Sequence, residues 1–225
     1  MTGLIIYGDN GRVQFDSNSP VVTFVRKGTH DTSTQASTLP GGARGSVLTV
    51  PSVGMPILAL RPQSVGLRCG IYGTSEANGQ RSYNIVTVGT GLIDWYQFDA
   101  TPAYQEGVGL RVYSADGQML YHTASKPLRV ISVGGTISES EPGGRTYALI
   151  QGSFAGVRRW VMDANDPQER YVLYFYNYAI GRPADGSIDT KLSVFARYSN
   201  PPTSNPPADQ ALGPINFMCV DVTGY

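Results

Sequence analysis

The chain has 225 residues, 41% of them hydrophobic, with 27 glycines, 15 prolines and a formal charge of zero. Only 15% of the residues are charged, which argues against a nucleic-acid binder, since that would need a basic stripe, and the apolar content argues against disorder. A weakly charged surface suits a protein that sits against other proteins.

The opening MTGLIIYGDN has no basic region and only a short apolar run broken by turn residues. It reads as a strand and not as a secretory leader, and no stretch approaches the roughly 20 apolar residues that cross a bilayer. The expectation is a protein made and folded in a cytoplasm, without membrane insertion. Residues 4–7 and 12–15 flank Asn10-Gly11, a pair that tolerates the positive φ angles of a two-residue hairpin turn.

Short runs rich in Val, Ile, Thr and aromatics follow, bounded by Gly and Pro, and no helical period is sustained. Strands are predicted at 21–26, 46–50, 57–60, 66–72, 83–88 and 92–98. Residues 28–45, rich in Thr, Ser and Gly, read as a surface loop or arm. A second hairpin is predicted from 110–113 and 118–121 around Asp116-Gly117. Later strands are predicted at 128–132, 146–151, 157–162, 171–177, 191–198 and 215–222. The piece SNPPTSNPPADQALG at 199–213 places Pro-Pro pairs in a polar setting and reads as an extended loop, since proline cannot donate to a central ladder.

The chain also repeats itself. GLIIYGDNGRVQFDSNSPVVTFVRKGT at 3–29 matches GLRVYSADGQMLYHTASKPLRVISVGGT at 109–136, with Gly3/Gly109, Tyr7/Tyr113, Gly11/Gly117 and Pro20/Pro127 in register after one insertion. Pro40-Gly41-Gly42 is answered by Pro142-Gly143-Gly144, and Asn78-Gly79 by Asp185-Gly186. Thr90, Leu92, Trp95 and Phe98 are answered by Thr190, Leu192, Phe195 and Tyr198. Self-similarity of this kind predicts two related units. The fold expected is all-β: two tandem β-sandwich-like or small-barrel domains related by internal duplication, over 1–105 and 106–225.

Chemistry-bearing clusters are scarce. The two histidines, His30 and His122, have no metal-ligand spacing with another candidate and are expected at the surface or in loops. Cys69 and Cys219, one in each half, read as small buried hydrophobes in separate cores. Asp163, Asp166 and Glu169 do not match a calcium loop. No catalytic residue, metal site or cofactor is expected. The distinctive segment is YVLYFYNY at 171–178, where Tyr174, Tyr176 and Tyr178 share one strand face. With Trp95 and Tyr96 they are the candidate interface residues. Exposed tyrosines suit protein interfaces or sugar platforms, while burial of both faces is the bland alternative.

The glycine–leucine start, the Asn/Asp-Gly turn, the strand ending in Phe15 or Tyr121 and the proline-led apolar strand, at 3–25 and 109–131, resemble small tail-tip and fibre-associated structural proteins of long-tailed bacteriophages. The resemblance covers about a quarter of the chain. It implies a non-enzymatic virion component of a tail tip, baseplate or fibre attachment, present in several copies, with other tail proteins as partners. The alternative is a receptor- or carbohydrate-binding module of the tail, with a host surface receptor as partner and Asp94 beside Trp95 and Tyr96 to orient hydroxyls.

Overall fold

The structure is a computed structural model. It describes residues 5–7, 13–16, 21–34, 37–38, 43–52, 54–100, 108–114, 116–117, 119–152, 156–162, 171–203, 208, 210–211, 213 and 216–225. For 5–7, 13–16, 37–38, 156–158, 171–177, 194–203 and 211 the backbone alone is described. Every regular element among these residues is a strand.

In the first half the strands are β1 (Ile5–Tyr7), β2 (Val13–Asp16), β3 (Thr23–Asp31), β4 (Ser37–Thr38), β5 (Arg44–Pro51), β6 (Ile57–Pro62), β7 (Arg68–Ala77), β8 (Gln80–Val88) and β9 (Leu92–Asp99). The second half adds β10 (Arg111–Tyr113), β11 (Met119–His122), β12 (Val130–Gly134), β13 (Ser138–Glu139), β14 (Tyr147–Gln151) and β15 (Gly156–Met162). It continues with β16 (Tyr171–Gly181), β17 (Ile188–Thr203), β18 (Gln210–Ala211) and β19 (Phe217–Asp221).

Two antiparallel sheets face each other as a β-sandwich. One has six strands in the order β12-β19-β14-β6-β9-β3. The other runs β13-β17-β16-β7-β8-β5-β4, with β15 and β18 branching from β16. Each sheet therefore takes strands from both sides of the 105/106 boundary, and the halves meet directly where β14 pairs β6 and β16 pairs β7. Setting aside the separate pairs β1–β2 and β10–β11 and the short or branching β4, β15 and β18, the order reads alike from either end. The first, sixth and third strands of each half lie in one sheet, and the second, fifth and fourth in the other.

The hairpins β1–β2 and β10–β11 stand outside these sheets and share one pairing plan. Ile6 faces Phe15 with a register shift before Tyr7, and Val112 faces Tyr121 with a shift before Tyr113. The Asn10-Gly11 turn lies outside the described residues. Gly117 takes the positive φ of 83° expected of its turn.

The main core fills the space between the sheets. Leu58, Leu60, Ile93, Leu149 and Phe217 of the six-stranded sheet meet Leu48, Val50, Ile85, Ile180 and Ile188 of the other. Cys69 and Cys219 are free and both sit in this single core, which corrects their expected placement in separate ones. Burial raises both thiols, Cys219 to about 12, so neither is a thiolate nucleophile at neutral pH.

The opposite face of the six-stranded sheet is also covered. Ala59, Tyr96, Phe98, Ala148, Ile150 and Val220 form a second cluster closed by Val22, Leu128 and Tyr225. Burial on both faces explains why ILAL, YALI and FMCV run apolar instead of alternating. The 126–129 segment spans this side: Phe24 N–H donates to Lys126 O (2.7 Å) and Leu128 N–H to Val22 O (2.9 Å), while Arg129 O accepts from Asp221 N–H (2.9 Å). Tyr225 lies stacked on Phe24, with ring centroids 5.0 Å apart, and edge-on to Phe98 at 5.8 Å.

Two expectations about loops are corrected. Residues 28–31 belong to β3, and β5 begins at Arg44; residues 35–36 and 39–42 of the expected loop lie outside the described set. The polar KGTHD run pairs with β9 and alternates as a strand does, with Lys27 and Thr29 exposed while Gly28 lies against Trp95 and His30 is buried. Residues 199–203 continue β17, with a break in its pairing between Leu173↔Tyr198 and Tyr171↔Thr203, where Pro201 and Pro202 cannot donate to the ladder.

His30 and His122 are both buried, which corrects their expected surface placement. His30 Nε2 is 2.7 Å from Ser46 Oγ, a bond that ties β3 to β5 across the sandwich. Burial holds the His30 pKa below its ordinary value, partly offset by Asp31, so the fold favours the neutral ring. Its contribution to stability is complete above about pH 6.5, the unfolded value. It is lost as pH falls through the lower folded value, because the unfolded chain takes up the proton first. Denaturant melts at pH 7.5 and pH 5 should show a loss of stability on acidification that His30→Gln reduces.

Candidate functional site

The sequence-named aromatics occupy three different settings. Tyr96 is buried in the second cluster. Trp95, half-buried, packs on the main core and lies across Gly28, its partner on β3. A Cβ built on Gly28 would stand 2.5 Å from Trp95 Cζ2, so the absence of a side chain is what lets the indole lie down. Gly28→Ala should lift the ring, shift its fluorescence emission to the red and cost about 1–3 kcal/mol in denaturant melts. Tyr178 is half-buried against the main core. Tyr174 and Tyr176 are placed on β16 between β15 and β17 by backbone pairing, and their side chains lie outside the described set. The structure does not bring Trp95 and Tyr96 to one face: they point to opposite sides of β9.

An ionic cluster marks the meeting of the halves. Glu141 Oε1 accepts from Arg61 Nε (3.2 Å) and from Tyr147 N–H (2.9 Å), while Oε2 accepts from Arg61 Nη2 (3.1 Å) and Arg182 Nη2 (3.4 Å). Asp94 lies 3.8 Å from Arg61 and accepts from Gln63 Nε2 (2.6 Å) and Thr29 Oγ1 (3.1 Å). A second tie is the two-pronged pair from Arg68 to Asp189, at 3.0 and 3.1 Å. It crosses over Gly181, where a Cβ would fall 2.6 Å from the guanidinium.

A cleft of about 460 Å³ opens where the larger sheet splits. β16 pairs β7 only at Cys69 and Arg68, and from 177 downward β15 takes that side of β16 instead. β7 leaves with β8 as a hairpin closed by Asn78 and Gly79, both at positive φ (53° and 68°), the geometry of a tight two-residue turn. The gap between the branches is lined by Ile57, Leu58, Ile71, Thr74, Arg81 and Ile150, among others.

At its base Gln151 reaches across from β14. Its carbonyl accepts from Ile71 N–H and its amide nitrogen donates to Ile71 C=O, both at 2.9 Å. The side chain thus satisfies this edge of β7 as a peptide group of a neighbouring strand would. Arg81 lines the cleft, and its buried Nε meets no acceptor. Beside it, Tyr83 donates to Pro56 O at 2.6 Å, and burial raises its pKa to about 12. Of this feature the sequence marks Asn78-Gly79 as a turn; the part played by Gln151 comes from the fold, which brings β14 to β7.

Among the described residues no group of three or more His, Cys, Asp or Glu stands close enough to hold a metal ion. No protein family, no curated protein and no solved structure matches the chain.

Proposed function

We propose that the protein is a non-enzymatic structural component of a bacteriophage tail, at a tip, baseplate or fibre attachment, working in several copies through contacts with other tail proteins. The observation that carries the assembly role is β12. It is the terminal strand of its sheet and exposes Val130, Ile131 and Val133 at 47%, 40% and 67%. Free-standing proteins usually blunt such an edge with charge, proline or a covering loop; an uncovered apolar edge suits a surface that another protein covers. The placement in a tail rests on the resemblance of the two hairpin starts at 3–25 and 109–131. The shared hairpin register and the symmetric strand order support descent of the halves from one unit, which gives one chain two related docking surfaces.

Mass spectrometry of purified tails from a phage encoding the chain tests this reading. The expected result is recovery in a fixed copy number per particle. Intact, infectious particles that lack the chain would overturn it.

A further inference from the structure

We propose that the cleft beside β7 receives an extended segment of a neighbouring protein, which adds as a strand to the β7 edge and brings a carboxylate to Arg81. The inference rests on the assembly reading above and names the chemistry of one partner.

The edge dictates the form of the occupant. In the β7–β8 hairpin, Ala77 faces Gln80 across the two-residue turn, and Ser75 faces Ser82. Pairs flanking such a turn exchange their backbone bonds with each other, and the residues between them direct N–H and C=O outward. Thr74 and Glu76 therefore turn their backbone groups away from β8. Among the described residues no strand lies on that side beyond Cys69.

One peptide-like group already uses this edge. The Gln151 amide pairs with Ile71 as a strand would, so it marks both the direction of pairing and its first rung. A segment entering behind it meets Thr74 and Glu76 next, which is the geometry of strand addition.

The lining dictates the side chains. Thr74 and Tyr83 face each other across the hairpin, as do Glu76 and Arg81, so alternate residues of an added strand enter the cleft on their side. Ile57, Leu58, Ile71 and Ile150 surround an apolar side chain there. Arg81 has no ion pair among the described residues, and its buried Nε lacks an acceptor. A guanidinium in that state is stabilised by a carboxylate, which accepts in the fork geometry that arginine presents. The sequence pattern that fits is an apolar residue followed two positions later by Asp or Glu.

The test uses the full chain and two blocked heptapeptides, acetyl-TTVTETT-amide and its glutamine counterpart acetyl-TTVTQTT-amide, titrated by calorimetry with amide shifts followed by NMR. The expected result is saturable binding of the first, with shifts at Thr74 and Glu76, and at least about tenfold weaker binding of the second, the size of one charge-assisted bond. Thr74→Pro removes an outward N–H and should abolish binding of both peptides. Arg81→Gln leaves the backbone untouched and should make the two peptides equal, so the proposal stays testable if the proline variant does not fold.

No saturable binding up to about 5 mM, binding unchanged in folded Thr74→Pro, or a preference for glutamate that survives in Arg81→Gln would each overturn it. These results are read apart from particle composition. A chain absent from tails that still binds the peptide discards the tail and keeps the docking edge. A chain present in tails that ignores the peptide does the reverse.

Discussion

Residues 1–105 expressed alone will not give a soluble folded monomer, whereas the full chain will. Cutting at the boundary strips β14 from β6 and β16 from β7. It uncovers Leu58 and Leu60, which in the whole chain share the core with Leu149, Ile180, Ile188, Phe217 and Cys219. Two adjacent bare edges with an apolar flank are the arrangement most prone to pairing with other chains. Size-exclusion chromatography of the half-chain should therefore show aggregate or a self-paired dimer. A monodisperse monomer with cooperative unfolding would show instead that the half is a self-sufficient domain.

Glu141→Ala should be the most damaging single polar substitution at the seam. The carboxylate is about seven-eighths buried and neutralises Arg61, itself equally buried, together with Arg182. Its loss leaves Arg182 and the Tyr147 N–H without this acceptor and Arg61 with only Asp94, 3.8 Å away. Removing one partner of a buried pair costs about 3–5 kcal/mol; with Arg182 a quarter exposed, the lower end applies, about 3 kcal/mol. For a chain of this size that is a fall of about 6–12 °C in Tm, measurable by calorimetry. Glu141→Gln keeps an acceptor for Tyr147 and should recover part of the loss. An alanine variant that melts with the parent would mean that water replaces the carboxylate at no cost.

Individual strands were legible because burial wrote them into composition. ILAL, YALI and FMCV needed no partner information to be read as strands, and β5, β9, β14 and β15 begin and end within two residues of their expected bounds. β3 runs past its apolar pattern into polar residues, because Gly28 serves the Trp95 ring and His30 serves Ser46, both on other strands. Pairing was less legible still. Asn78-Gly79 forms the two-residue turn of β7–β8, and Asp185-Gly186 lies in the longer connection of β16–β17. The sequence likeness pairs the aromatic run at 92–98 with 190–198, which lies in β17, whereas the strand order sets β9 opposite β19. Period-two patterning tells which face is buried and carries no record of which strand lies alongside.

The candidate aromatics illustrate the same limit. Trp95 and Tyr96 are neighbours in sequence, and adjacent residues in a strand point to opposite faces. Here both faces are covered, so residue type alone suggested a platform where the fold has two interiors. The cleft could not be found that way, because its defining contact is a glutamine amide laid on a backbone from the other half of the chain.

The seam has a kinetic consequence. The contacts that β14 makes with β6, and β16 with β7, involve no constraint that they come from the same molecule. During refolding at high protein concentration, the second half of one chain can settle against the first half of another before its own arrives, since closure within a chain must bring distant segments together. Two chains that trade halves in this way bury the same surfaces as two separate monomers. Such exchanged dimers then persist, because returning to monomers requires peeling apart four ladders at once.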